Sequence, residues 1–228
     1  MGHIDRTAGG TVMAIASRFE EFPSVSPVVS TPKSRNWGAG LPVLLGTSVT
    51  LRELRASDAH ALLAAFGSPD VTRLISPPPP TVEGFKKFIA WTQRQREARQ
   101  SFAFAITLDN SDTVVGLFQV RALQPGFDIA EWGFALGSEH WGSGLFHEAA
   151  GLVLDFVFDV VGVHRLEARA ALKNGRGNGA LEKLGATQEG VLHRSFLRNG
   201  VYHDQALWTI LADDRRATRT LRTTNLIH

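Results

Sequence analysis

"EWGFALGSEHWGSGLFHEA", residues 131–149, runs from a strand pattern into a helix pattern through two glycines one residue apart. Before the glycines the side chains alternate. Glu131, Gly133 and Ala135 share a face with Ile129, and Trp132, Phe134 and Leu136 point the other way, as a period of two requires. After Gly142 and Gly144, the apolar residues Leu145, Ala149, Val153, Phe156 and Val160 recur at helical spacing. A helix is therefore expected from about residue 144 to 160, with that stripe in the core. Helix N-termini carry unpaired amide donors and the positive end of the macrodipole. Glycine there lets the backbone approach a bulky anion, usually a phosphate or pyrophosphate. A bare G-x-G also has a purely structural reading as a tight turn between strand and helix.

The flanking patterns set the fold class. Upstream, residues 41–54 read as a strand or hairpin, and "SDAHALLAAF" as a helix with Ser57 or Asp58 as N-cap. "SPPPPT" must be a loop, because proline lacks the amide donor, and its Thr81 caps a helix over 82–99. Strands over 101–108, 113–123 and 128–136, separated by "DNSD" and "QPGF", form an antiparallel meander. Downstream come a strand at 164–171, a short helix "GNGALEKLG", and two strands, 187–197 and 202–211, joined across "RNG". The order β-α-β-α-β-β from Asp128 places a parallel pair with a crossover helix inside an otherwise antiparallel sheet. The expected fold is α+β, a mixed sheet of about seven strands with flanking helices. Residues 1–40 read as a Gly/Ser/Thr/Pro-rich extension, within which Met13 is a second candidate start, 41–212 as one domain and 213–228 as a polar tail.

Composition narrows the function classes. The 228 residues are 43% hydrophobic and 20% charged, with a formal charge of +2. Basic residues are interspersed with acids, which argues against a dedicated nucleic-acid or membrane surface. Cysteine is absent, so disulfides, thiolate metal sites and a cysteine nucleophile are excluded. No secretory signal pattern and no run of about eighteen apolar residues is present, so a cytoplasmic location is the default expectation. A P-loop would need Lys followed by Ser or Thr, and "GSGLFHEA" has none. A dinucleotide fingerprint would need a third glycine where His147 stands, and a parallel sheet ahead of it.

"EWGFALGSEHWGSGLFHEA" followed by "NGRGNGALEKLGA" resembles the GNAT superfamily of N-acetyltransferases, and within it the branch containing the ribosomal-protein N-terminal (RimJ/RimL-like) acetyltransferases. Trp141, Gly142, Gly144, Glu148 and Ala149 match a W-G-x-G-x-x-x-E-A segment. Asn174, Leu181, Lys183, Leu184 and Gly185 match an N-x-x-S-x-x-x-L-x-K-L-G-F segment. Three positions depart from the pattern. Glu139 replaces the usual Arg or Gln before the first glycine, Gly177 replaces a serine proposed to protonate the leaving thiolate, and Ala186 replaces the final Phe.

The resemblance implies acetyl-CoA as cosubstrate and no metal, with direct attack of a primary amine on the thioester while both substrates are bound. It implies a pyrophosphate cradle of backbone amides at Gly142, Ser143, Gly144, Leu145 and Phe146, and a pantetheine contact at Asn174, with a cap of its own loop as the alternative reading of Asn174. It also implies that the strand before the motif parts from the strand after the helix, with the main chain of Leu136 pairing with the pantetheine arm. Glu131 is the leading candidate base, on a face of small residues, with a salt-bridged strand glutamate as the alternative reading. An ordinary glutamate is a poor proton acceptor at neutral pH, so this role requires partial burial. Glu189, His193, His203, Asp204 and Tyr202 on the last two strands are further candidates, and Arg176 and Asn178 are candidates for the phosphates. The acceptor is expected to be a protein N-terminus or a small amine, and relatives make a homodimer an expectation. The competing reading is a catalytically silent domain of the same fold that senses or binds acyl-CoA.

Overall fold

The computed structural model describes residues 36–217. The rest of the expected extension and the end of the expected tail lie outside the described residues. Eight strands form one sheet: β1 (Leu44–Leu45), β2 (Val49–Glu53), β3 (Ser101–Leu108), β4 (Ser111–Ala122), β5 (Ile129–Leu136), β6 (Arg165–Ala171), β7 (Thr187–Arg198) and β8 (Val201–Leu211). Their order is β1-β2-β3-β4-β5-β6-β8-β7, and every neighbouring pair is antiparallel except β5 with β6. The count exceeds the expected seven because the 41–54 segment is a hairpin with a two-residue first strand.

Helices cover both faces. On one side lie α1 (Ala59–Ala65), the short α2 (Pro69–Thr72) and α3 (Val82–Glu97). Phe66, Phe85, Phe88 and Ile89 there pack on Ala103, Ala105 and Leu117. On the other side α4 (Leu145–Asp155) crosses from β5 to β6, and α5 (Gly175–Lys183) follows β6. Val153, Leu154 and Phe156 pack there against Phe102, Phe104 and Phe118. β3 is buried on both faces, with Phe102 and Phe104 filling the α4 side and Ala103 and Ala105 letting α3 approach closely.

The caps follow local chemistry. Thr81 accepts from the Gly84 amide and starts α3 as expected. Asp58 stands at the N-cap of α1 but makes no side-chain cap. Its carboxylate instead takes a bidentate pair from buried Arg52, at 2.8 and 2.9 Å, and the Arg55 amide at 2.7 Å. Asn199 and Gly200, both at positive φ, make the two-residue turn between β7 and β8.

Two expectations are corrected. The helix after Gly144 continues as a π-helical segment, Phe156–Val161, in which one extra residue per turn rotates the apolar seam. Val160, expected in the core, is therefore 40% exposed, and Val157 and Val161 are buried in its place. The core also begins before Leu41. Trp37, within the segment read as an extension, is buried with its ring 5.3 Å from both Phe102 and Phe127. At the other end, residues 212–217 continue as helix, and Arg215 pairs with Asp155 at 3.1 Å.

Candidate active site

The parallel strands β5 and β6 pair only from Ile129–Glu131 to Arg165–Glu167 and then part. Gly137 donates its amide to Val115 O at 2.8 Å, on the β4 side. Because strand residues alternate in direction, Phe134 and Leu136 turn their amides and carbonyls toward the gap. The Leu136 carbonyl accepts the Trp141 indole N–H at 2.9 Å, and the Leu136 amide stays free on that edge.

At the mouth of the gap the chain makes a short 3₁₀ turn, Ser138–His140, and enters α4 through Gly142 (φ 76°) and Gly144 (φ 87°). These left-handed residues curl successive amides into a concave nest. Among the described residues, the amides of Gly142, Ser143, Gly144 and Phe146 have no acceptor, whereas His147 and Glu148 already donate to Gly144 O. Ser143 Oγ donates to His140 O at 2.7 Å and so stiffens the turn. Below the nest, Phe146 packs tilted against Phe134 at 4.5 Å and stacks on Phe118 at 5.7 Å, and Leu145 packs on the same core, pinning the helix start to the sheet. Glu148 faces away from the nest. Its Oε1 accepts the amides of Thr47 and Ser48, the latter at 2.9 Å, and ties α4 to the β1–β2 turn.

The opposite wall is the start of α5. Asn174 Oδ1 accepts from the Gly177 amide at 2.9 Å, so this side chain is the helix N-cap. A β-carbon placed on Gly177 would lie 2.6 Å from Asn174 Nδ2, so the Asn174 amide occupies the room a serine would need. Asn178 is fully engaged: it donates to Ala171 O and Asn174 O and accepts from Trp208 Nε1 at 2.8 Å, fastening α5 to the sheet. Arg176 lies 4.3 Å over the Trp141 ring and links the two walls.

Between the walls runs a cleft of about 1200 Å³. It is lined by Leu136, Gly142, Gly144, Phe146 and Asn174 among the expected ligand residues. Arg73, Lys173, Arg176 and Lys183 also line it, against the single acid Asp70. The loop carrying Arg73 escaped the sequence reading because it follows the four-residue α2, too short to show a period. Lys173 was readable as the neighbour of the Asn174 motif.

Glu131 sits where β5 and β6 are still paired, on the face away from α4, 5% exposed. Its Oε2 bonds Arg121 Nη2, and its Oε1 has Arg169 at 3.9 Å, beyond hydrogen-bond reach. The outlying candidates are occupied elsewhere. Glu189 is held bidentate by Arg165 at 2.7 and 2.6 Å, which brings its carboxyl down to about 2. Asp204 accepts the Arg194 amide at a bulge in β7 and pairs with His193 at 3.4 Å, and the amide, more than the imidazole, lowers its pKa. Tyr202 is 61% exposed, and His203 lies against Phe196.

A splayed parallel pair beside an amide nest is the arrangement the two motifs implied, and the comparisons agree. Residues 48–187 match the family model described as Acetyltransferase (GNAT) domain. The chain belongs to this family. It is 34% identical over 139 residues to a probable N-acetyltransferase, YjcK, of Bacillus subtilis, covering 59% of this chain and 75% of that protein. The ribosomal-protein-S5-alanine acetyltransferase of Vibrio fischeri superposes with a TM-score of 0.69 at 21% identity, over 76% of this chain and 98% of the other. Mycobacterium smegmatis RimJ, solved in complex with CoA-disulfide, gives 0.68 at 22% identity, over 76% and 87%. The fold is thus that of the GNAT acetyltransferases, with RimJ among its structural neighbours, and the chain is an acetyltransferase.

Proposed function

We propose that the protein transfers the acetyl group of acetyl-CoA to a primary amine by direct attack while both are bound. The observation that carries this reading is the set of unpaired amides at Gly142, Ser143, Gly144 and Phe146, next to the unpaired edge of β5. The nest suits a pyrophosphate. Lys173, Arg176 and Lys183 suit the remaining phosphate of the coenzyme, and the Leu136 amide suits a carbonyl oxygen of the pantetheine arm or thioester.

In the step itself the amine nitrogen forms a bond to the thioester carbon and loses a proton, the C–S bond breaks, and the sulfur is protonated. Glu131 Oε1, the carboxylate oxygen not taken by Arg121, receives the proton from the amine side. Backbone N–H groups on the open edge of β5 stabilise the developing oxyanion. Gly177 offers no hydroxyl, so water protonates the thiolate.

The test is free-thiol release on incubation with acetyl-CoA and a panel of amines: Ala- and Ser-initiated peptides, polyamines and aminoglycosides. Release with at least one acceptor is expected, together with thermal stabilisation by acetyl-CoA. Stabilisation with no release from any amine would point to a silent acyl-CoA binder, and absence of stabilisation would remove the cradle itself. Glu131→Gln should lower kcat by roughly 10²-fold or more, the usual worth of a general base, and leave acetyl-CoA binding unchanged.

A further inference from the structure

The cleft passes from one face of the sheet to the other. On the α4 face it is bordered by the nest and by α5, and where β5 parts from β6 by Phe134, Ala135 and Leu136. Beyond that edge it is bordered by Asp70 and Arg73 of α2 and by Leu74 and Ile75 after it. Val71 and Ile75 pack with Ala135 in the core of the α1 and α3 face, so α2 closes the cleft from the side opposite the nest.

α2 is short but fixed. Ser68 Oγ accepts the Asp70 amide at 3.3 Å, Thr72 Oγ donates to Ser68 O at 3.2 Å, and Val71 is buried. Arg198, the last residue of β7, donates from Nη2 to Thr72 O at 3.1 Å and ties α2 to the final hairpin. These bonds hold the backbone of Arg73 beside the cleft. Asp70 and Arg73 stand three residues apart, a spacing at which opposite charges can meet. Among the described residues, however, neither side chain has a hydrogen bond or an ion pair. α2 therefore offers the cleft one free cation and one free anion.

The coenzyme is served from the other face. The nest suits its pyrophosphate, Lys173, Arg176 and Lys183 suit its remaining phosphate, and the pantetheine arm separates all its phosphates from the thioester. Arg73 is left over, and Asp70 beside it would repel a phosphate of the coenzyme but not a zwitterion.

We infer that α2 reads the acceptor and that the acceptor is an amine carrying an anionic group, a carboxylate or a phosphate. The inference rests on the proposed acetyl transfer and names its substrate class. Arg73 holds the anion, with paired N–H groups to two oxygens. Asp70 gives the entering ammonium a counter-charge before it loses its proton. A polyamine would bring a second ammonium to Arg73 and be repelled. An amine with a neutral tail gains nothing from Arg73.

The test measures thiol release from acetyl-CoA, and calorimetric titration of the full chain saturated with CoA, with matched acceptors. Alanine is set against alaninamide, O-phosphoethanolamine against ethanolamine, and Ala-Glu-Ala amide against Ala-Gln-Ala amide, with spermidine as the polycation. At least one anionic amine should exceed its neutral partner by about fivefold or more in affinity and in kcat/KM, as much as an ion pair open to water supplies. The pair that shows this identifies the source of the anion. Arg73→Gln should bring the ratio close to one while Tm holds, because no protein partner is lost. Arg73→Glu should turn the preference toward spermidine. No anionic advantage in any pair, or an advantage that survives Arg73→Gln, would overturn the inference. So would a loss of CoA affinity in Arg73→Gln, which would put Arg73 on the coenzyme. The two readings fail separately: anionic amines that bind through Arg73 without thiol release refute transfer and leave the subsite standing, and release that ignores acceptor charge does the opposite.

Discussion

Two helices open onto one cleft and begin in opposite ways. α5 starts at an asparagine whose side chain takes up the Gly177 amide. α4 starts at left-handed Gly144, and its one nearby hydroxyl, Ser143, donates to His140 O. Capped amides are spent, and uncapped amides at the positive end of a dipole attract an anion. Both starts belong to motifs that resemble ligand-binding segments, but α5 spends its Gly177 amide on a side-chain cap, whereas α4 leaves the amides of Gly142, Ser143, Gly144 and Phe146 free around two left-handed glycines. The anion site is where the sequence withholds a cap.

The contrast breaks most readily at Gly144. A valine there must adopt φ near 87°, which costs about 1–2 kcal/mol and turns the nest amides away from a common centre. Gly144→Val should weaken acetyl-CoA binding by at least about tenfold, measured by calorimetry. Unchanged affinity would mean that the nest is only a turn.

A smaller effect is expected one turn into α4. Glu148 is an acid close to a proposed anion site, but its carboxylate is used by the amides of Thr47 and Ser48. Glu148→Ala should cost about 1 kcal/mol of stability, the net worth of a hydrogen bond that water can replace, read as a lower urea midpoint. Acetyl-CoA affinity should hold or rise slightly. A large loss of affinity at unchanged stability would make Glu148 part of the cradle.

What the sequence disclosed follows the same local logic. The cradle was legible because glycine pairs and helical period are local signals, and so were the faces of β5. The partners of Glu131 were not, because Arg121 and Arg169 reach it through strand register, and nothing between residues 121 and 169 encodes that pairing locally. The π-helical turn that exposes Val160 was invisible for a related reason: a single extra residue in a turn leaves the apolar composition unchanged. Trp37 stood alone among glycine and proline, and only Phe102 and Phe127, far along the chain, make it core. Asn174 was found as a residue that matters, but a motif does not distinguish a ligand from a cap.

Asn174 therefore sharpens the comparison from the α5 side. Asn174→Ala should lower stability by about 1 kcal/mol, the usual worth of an N-cap, and Asn174→Asp should restore most of it. Acetyl-CoA affinity should change less than about threefold, well under the tenfold that 1.4 kcal/mol represents. A loss of affinity without a loss of stability would place the free Nδ2 on the ligand and make both helix starts binding elements.

The smallest effect concerns what holds the α5 wall in place. β6 leads into α5, and its first residue, Arg165, grips Glu189 of β7. That pair holds the Glu189 carboxyl at about 2, against an ordinary value of 4.5. The folded state thus binds fewer protons than the unfolded state between those values. The contribution is complete above about pH 4.5 and is lost as pH falls through about 2. The side chain is 38% exposed, so screening limits the pair to about 0–1 kcal/mol. Glu189→Gln should lower Tm slightly at pH 7, and the gap to wild type should close on acidification toward pH 2. The pair sits at the opposite end of β6 from Asn174, so acetyl-CoA binding at neutral pH should be the same in both proteins. Weaker binding in Glu189→Gln would mean that the α5 wall adjusts to the ligand and is not a fixed, capped partner to the open start of α4.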